Sequence, residues 1–301
     1  MNKMAMPLLR KRFRFKRQSR LHRMSRFEKA VVFLLVLFSA FMLLPLVYIF
    51  NHALKPYEEL FIYPPTIWAR TPSLQNFVEL FHITSDSVIP VTRYIFNSLT
   101  VAVLSVITVT GVSALCAYPL SKHKFPGYKL VFATIMLTLL FAPETVTIPR
   151  YLVVSNLGIM NTYWGHILPM VAVPVGVFLM KQFIDQIPNE LLESARLDGA
   201  REFTVFLRIV VPVILPAVAT IGIISFQTAW GNVETSNLFM QDEQMKTFPF
   251  FISSLTSNMA NNVARQGAAA AAALFMFIPN LIIFLAFQSK VIATMAHSGI
   301  K

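Results

Sequence analysis

The sequence predicts an all-α membrane protein: six transmembrane helices, both termini cytoplasmic, and a short amphipathic helix on the cytoplasmic side between spans four and five. Three observations carry this reading. Residues of the AVILMFWYC set make up 55% of the 301 residues and charged residues only 13%, about half the charge density of a soluble domain. Long uncharged runs recur along the chain, each near the roughly 20 residues needed to cross a bilayer. Lys and Arg fall unevenly between the two sides that these runs define. Disorder is excluded because disordered chains are poor in apolar residues. A single cysteine, Cys116, excludes a disulfide scaffold or a Cys-rich metal site, and no metal site is expected.

Residues 1–29 form a basic arm with eleven Lys and Arg. Its run Arg10–Arg17 interleaves Phe with basic residues. It could be a nucleic-acid arm, but the preferred reading is an anchor lying on anionic lipid head groups, so membrane lipids are expected partners and nucleic acid is not. The rest of the chain, 30–301, is expected to be one membrane domain. Its first uncharged run, 30–50, is too long for a signal peptide and lacks a small-residue cleavage site, so it is expected to stay as an anchor. The outer connection 51–93 is the longest, with five prolines and Tyr57, Phe61, Tyr63, Trp68 and Phe77, and is expected to be ordered. Further spans are expected near 94–118, 129–149, 162–184, 208–230 and 266–288. Pro126-Gly127 breaks the chain in the tight turn 121–129, and a second outer loop runs from Glu234 to about Arg265. Six alanines, 268–273, open the last span and suit close helix packing. With the N-terminus inside, 20 Lys and Arg lie on the cytoplasmic side and 6 on the other.

The span interiors contain no acidic or basic residue, which disfavours ion coupling through intramembrane ligands. His166 is the one histidine in a span region and reads as a hydrogen-bonded structural residue. No HExxH, GxSxG or Walker A pattern occurs, and no intramembrane carboxylate pair offers acid–base work. The chain is therefore expected to be neither an enzyme nor a nucleotide binder.

The segment 186–206 differs in character. Pro188 and Asn189 open a helix, with Glu190 and Glu193 near the positive end of its dipole. Leu191, Leu192, Ala195 and Leu197 are expected near one face, with Glu193 and Arg196 toward water. Asp198-Gly199 stops the helix, glycine suiting the left-handed C′ position, and a second short helix is expected from Ala200. Periodicity alone leaves two readings open: a docking element for a partner's groove, or an interfacial helix lying on lipid.

The residues Glu193-Ser194-Ala195, then Gly199 after three residues, Ile209 after nine more, and Val211-Pro212 resemble the EAA loop of ATP-binding-cassette importer permeases. The departures are Ser194 for Ala and Val211 for Leu. Asn97-Ser98-Leu99, Ala117-Tyr118-Pro119, Phe125-Pro126-Gly127, Ile148-Pro149-Arg150, Leu157-Gly158-Ile159 and the ending Ser298-Gly299-Ile300-Lys301 extend the resemblance to the carbohydrate-type, maltose-permease class over roughly 30–301.

That resemblance implies a pore of two permease chains, the second a related but different one. It implies two ATP-binding subunits, an extracytoplasmic solute-binding protein, and residence in a bacterial or archaeal cytoplasmic membrane. ATP and Mg would be held by the partner subunits, with no cofactor on this chain. The coupling loop would comprise Glu190, Glu193, Ser194, Ala195, Asp198, Gly199, Ala200, Ile209 and Pro212. Within it Glu193 would anchor the partner, Ala195 would pack into its groove, Gly199 would fix the turn, and Ile209 and Pro212 would tie the loop to the fifth span. The substrate, expected to be an oligosaccharide, would pass Asn97, Gln227, Trp230 and Asn232, whose amides and aromatic face suit a sugar. The alternative for these four is helix–helix hydrogen bonding and an interfacial Trp belt. Rival readings are a permease for a polyol or glycerol phosphate, a stand-alone ion-coupled transporter, and a membrane scaffold that docks a cytoplasmic protein.

Overall fold

The computed structural model describes residues 25–64, 66, 68–85, 89–259 and 266–298. Most of the basic arm, Arg265 and the last three residues lie outside the described residues. The chain divides into two compact units, Met1–Val47 and Tyr48–Lys301. In the first, α1 (Arg26–Leu54) begins; Ser25 and Glu28 exchange side-chain and backbone hydrogen bonds of 2.7 and 3.1 Å that cap its start. Phe33, Leu35, Phe38, Phe41 and Leu44 are all exposed. A helix apolar on every side is suited to lipid rather than to water.

In the second unit, α2 (Tyr57–Leu60) and α3 (Gln75–Ser85) belong to the connection after α1. This connection is ordered from within. The buried Glu59 carboxylate accepts the Arg70 amide at 2.9 and 3.1 Å, and the Thr71 amide and hydroxyl at 2.9 and 2.8 Å. Lys55 Nζ donates to the Thr66 carbonyl. Asn76 donates to the carbonyls of Ala53 and Lys55 at 2.8 and 2.7 Å.

The most buried of the long helices is α4 (Val91–Lys122). Its buried positions, among them Asn97, Val101, Ser105, Val109, Ser113 and Ala117, recur every four residues. The stripe is rich in small side chains, which lets neighbouring helices approach closely. Its opposite face carries the exposed Phe96, Leu99, Val103, Ile107 and Leu115.

Three of the expected spans are broken helices rather than straight ones. Tyr128–Leu140 and Pro143–Asn156 meet at 110°, Tyr163–Val171 and Pro174–Asp185 at 53°, and Glu202–Val213 and Leu215–Trp230 at 79°. Proline explains the first two breaks, because the residue before it is pushed out of helical backbone. Ala142, before Pro143, has φ −67° and ψ 137°, and Val173, before Pro174, has φ −113° and ψ 91°. The elements are α5 (Tyr128–Leu137), α6 (Thr147–Asn156), α7 (Tyr163–Val171), α8 (Pro174–Asp185), α9 (Asn189–Leu197), α10 (Glu202–Val205), a π-helical turn (Phe206–Val210), α11 (Val211–Val213) and α12 (Leu215–Trp230). After them come α13 (Glu234–Phe239), α14 (Phe248–Met259) and α15 (Gln266–Ser298). Among the described residues, three helices are long and apolar enough to cross a membrane alone, or up to six spans exist if each bent pair is one.

Candidate functional site

The surface around α9 is built from short-range signals. Pro188, extended at φ −58° and ψ 137°, precedes its first residue, and Glu190 lies in the first turn. At the other end Gly199 takes φ 84°. The Gly199 amide donates to the Arg196 carbonyl and the Ala200 amide to the Ala195 carbonyl, both at 3.0 Å. These two bonds define a Schellman stop. The chain then re-enters a helix at Glu202, two residues later than the sequence reading placed it.

The helix divides its leucines between two faces. Leu192 is 2% exposed and sits in the largest apolar cluster with Met180, Phe183, Ile184 and Val205. Ala195 packs beside it on the same cluster. Leu191 and Leu197 point the other way, at 47% and 89% exposure, beside the exposed Glu190, Glu193 and Ser194. This corrects the expected grouping of the apolar residues. Positions 192 and 195 are one turn apart and take the inner face, whereas 190, 191, 194 and 197 follow the outer one. Ala195, half-buried, packs on this chain's own core. Asp198 is exposed and Ala200 half-buried. Ile209 lies in the π-helical turn against the same cluster, and Pro212 is exposed in α11.

Side chains distant in sequence hold α9 in place. Lys122, the last residue of α4, donates to the Ile187 carbonyl at 2.5 Å and to Asn189 Oδ1 at 3.1 Å. Glu202 Oε2 accepts the Tyr118 hydroxyl at 2.8 Å, and its Oε1 lies 2.6 Å from Arg196 Nε. Ser121 donates to Asp185 Oδ1 at 2.6 Å, and Lys181 lies 2.7 Å from Asp185 Oδ2. Sequence reading missed Tyr118, Lys122, Asp185 and Glu202 in this role. Tyr118, Ser121 and Lys122 reach partners 64 to 84 residues away along the chain, a separation with no periodic signature, whereas Arg196 is a local partner of Glu202 and Lys181 of Asp185. The one available signal was that each is polar and close to a helix end.

The four residues expected along the substrate path are not brought together as a polar lining. Asn97 is fully buried, donating to the Gln244 and Lys246 carbonyls at 2.7 and 2.9 Å and accepting the Tyr163 hydroxyl at 2.8 Å. Trp230 is 1% exposed and donates to the Met276 carbonyl at 3.0 Å. Asn232 accepts the amide and hydroxyl of Thr235, both at 2.8 Å. Asn97 and Trp230 follow the helix–helix alternative, because buried amides and indoles are satisfied internally, and the half-buried Asn232 caps the start of α13 locally. Gln227 alone is exposed. His166 is fully buried, with Nδ1 2.8 Å from the Thr235 hydroxyl and Nε2 3.0 Å from the Met245 carbonyl. It fastens α7 to α13 and to the helical turn at 243–245. An Arg150–Glu234 ion pair at 3.2 Å joins α6 to α13.

The chain is 29% identical over 269 residues to the arabinooligosaccharides transport system permease protein AraQ of Bacillus subtilis, covering 87% of this chain and 93% of that protein. It is 32% identical over 248 residues to the melibiose/raffinose/stachyose import permease protein MelC of the same organism, covering 81% and 85%. Its fold is similar to a chain in the crystal structure of a bacterial ABC transporter involved in the import of the acidic polysaccharide alginate. There the TM-score is 0.75 at 20% identity, over 88% of this chain and 98% of that one. The family model described as binding-protein-dependent transport system inner membrane component matches residues 22–289, and the chain belongs to that family.

Proposed function

We propose that this chain is the permease subunit of an ATP-driven importer, that it carries an oligosaccharide across a bacterial cytoplasmic membrane, and that α9 is its coupling helix. The observation that carries the reading is the outward face of α9, where Glu190, Leu191, Glu193, Ser194 and Leu197 stand exposed on a helix whose other face is anchored in the core. Such a two-faced helix is a recurring way of filling a partner's groove. The partner would be an ATP-binding subunit, with ATP and Mg on it; Glu193 would anchor and Leu197 would insert. A second permease chain would complete the pore, and an extracytoplasmic solute-binding protein would deliver the sugar. Each bent pair would count as one span, giving six, with both termini cytoplasmic by the Lys and Arg distribution. The carbohydrate assignment is supported by the names of AraQ and MelC and by the lack of acidic or basic residues in the span interiors.

The test is uptake of labelled oligosaccharides by cells with and without this chain. Loss of uptake of one of them on deletion, restored by the natural chain and not by Gly199→Val, is the expected result. Unchanged uptake of every oligosaccharide, with loss of uptake of a polyol or glycerol phosphate instead, would overturn the carbohydrate assignment.

A further inference from the structure

We propose that Lys122 and Glu202 form a two-point clamp that seats both ends of the coupling helix on the last turn of α4, so that displacement of the coupling helix is passed to α4. The passing of motion rests on the importer reading; the clamp does not.

The geometry is specific at both ends. Lys122 holds the start of α9 through the Ile187 carbonyl and Asn189 Oδ1. Glu202 holds its last turn through Arg196, and is itself held by Tyr118 from α4. His123 Nε2 lies 3.7 Å from Glu202 Oε2 on the same side. Tyr118 is 7% exposed, with its ring against Phe206 at 5.5 Å and against His123 at 5.4 Å, so its hydroxyl is a fixed point. Between the two holds, Leu192 presses into the core. An isolated exposed ion pair contributes little, and Glu202 and Arg196 are each partly exposed. Fastening both ends to one helix is different, because each hold limits the freedom the other would have to restrict.

The opposite end of α4 is fastened as well. Asn97 donates to the Gln244 and Lys246 carbonyls, the Tyr94 hydroxyl donates to Glu243 at 3.2 Å, and Ser98 Oγ accepts the Phe248 amide at 2.7 Å. A 32-residue helix gripped at one end by the coupling segment and at the other by residues 243–248 can carry a displacement along its axis.

The experiment compares the natural chain with Lys122→Met/Glu202→Gln, each purified full-length within its complex. Amide hydrogen exchange is read in 189–197, with 215–230 as the internal control. The expected result is exchange in 189–197 about tenfold faster with the control unchanged, while Lys122→Arg stays within about twofold of the natural chain. Unchanged exchange in 189–197 would overturn the clamp, and so would an equal rise in both segments, which would mean general loosening. In proteoliposomes holding the whole transporter, uptake per ATP hydrolysed should fall about fivefold in the double variant. An unchanged ratio would overturn the passing of motion. Absence of ATP-driven uptake by the unaltered transporter would instead sink the importer reading, and the exchange result would still decide the clamp.

Discussion

Gly199 is where one residue decides the shape of the segment 189–206 proposed to couple to an ATP-binding subunit. At φ 84° a side chain with a Cβ is strained by roughly 1–2 kcal/mol, and a β-branched one by more. Gly199→Val should therefore unwind the Schellman stop and cut uptake per ATP, whereas Gly199→Asn, which tolerates left-handed backbone, should retain most of it. Equal loss in both variants would mean that contact rather than backbone matters there. Glu59 makes a second residue-scale case. The Arg70 amide, with Thr71 and Lys55 adding to it, holds the Glu59 carboxyl below its usual range against the opposing effect of burial. A lowered folded value means the stabilisation is complete above the ordinary carboxylate pKa and is lost as pH falls through the lower folded one. The Arg70 and Thr71 amides should thus be protected from exchange at pH 6 and lose protection in acid, and Glu59→Gln should expose them at neutral pH. Protection that survives Glu59→Gln would contradict this.

At the scale of elements, a polar zipper joins the first turns of α4 and α7 to residues 231–248, which comprise α13 and the turns on either side of it. Asn97 is its most connected buried tooth, with two carbonyls and one hydroxyl on a single amide. Asn97→Leu should cost about 1–3 kcal/mol, since the three hydrogen bonds of a buried amide are lost together while Arg93 still reaches the Gln244 carbonyl at 3.2 Å. A detergent thermal-unfolding shift below about 2 °C would contradict that cost. This zipper was only half legible in the sequence. Asn97 and Asn232 stood out as polar residues near apolar runs, but composition does not distinguish an amide facing a pore from one facing a carbonyl. The helix Asn189–Leu197 was legible because Pro188, Glu190 and Gly199 are local cap signals. The breaks at Pro143 and Pro174 were not, because hydropathy sees an uninterrupted apolar run where backbone sterics impose bends of 110° and 53°. The division of Leu191 and Leu197 from Leu192 required knowing where the core lies.

Across the whole molecule, the exposed surface of the helices is largely apolar, as in Phe38, Ile107, Leu140 and Ile282, which fits a protein whose solvent is lipid. The proposed topology puts α9 inside and the 57–74 connection outside. In a Cys116→Ser background, Ser194→Cys should react with an impermeant thiol reagent from the cytoplasmic side only, and Trp68→Cys from the outside only. Labelling on the reverse sides would invert the topology. The central claim is that α9 docks an ATP-binding subunit beside a second permease. The direct measurement is a mild-detergent pull-down of this chain from its native membrane, with Glu193→Lys/Gly199→Val as control. The account predicts recovery of an ATP-binding subunit and a second permease with the natural chain, and loss of the ATP-binding subunit with the variant. Recovery of the chain alone, or only with copies of itself and no nucleotide-binding partner, would contradict it.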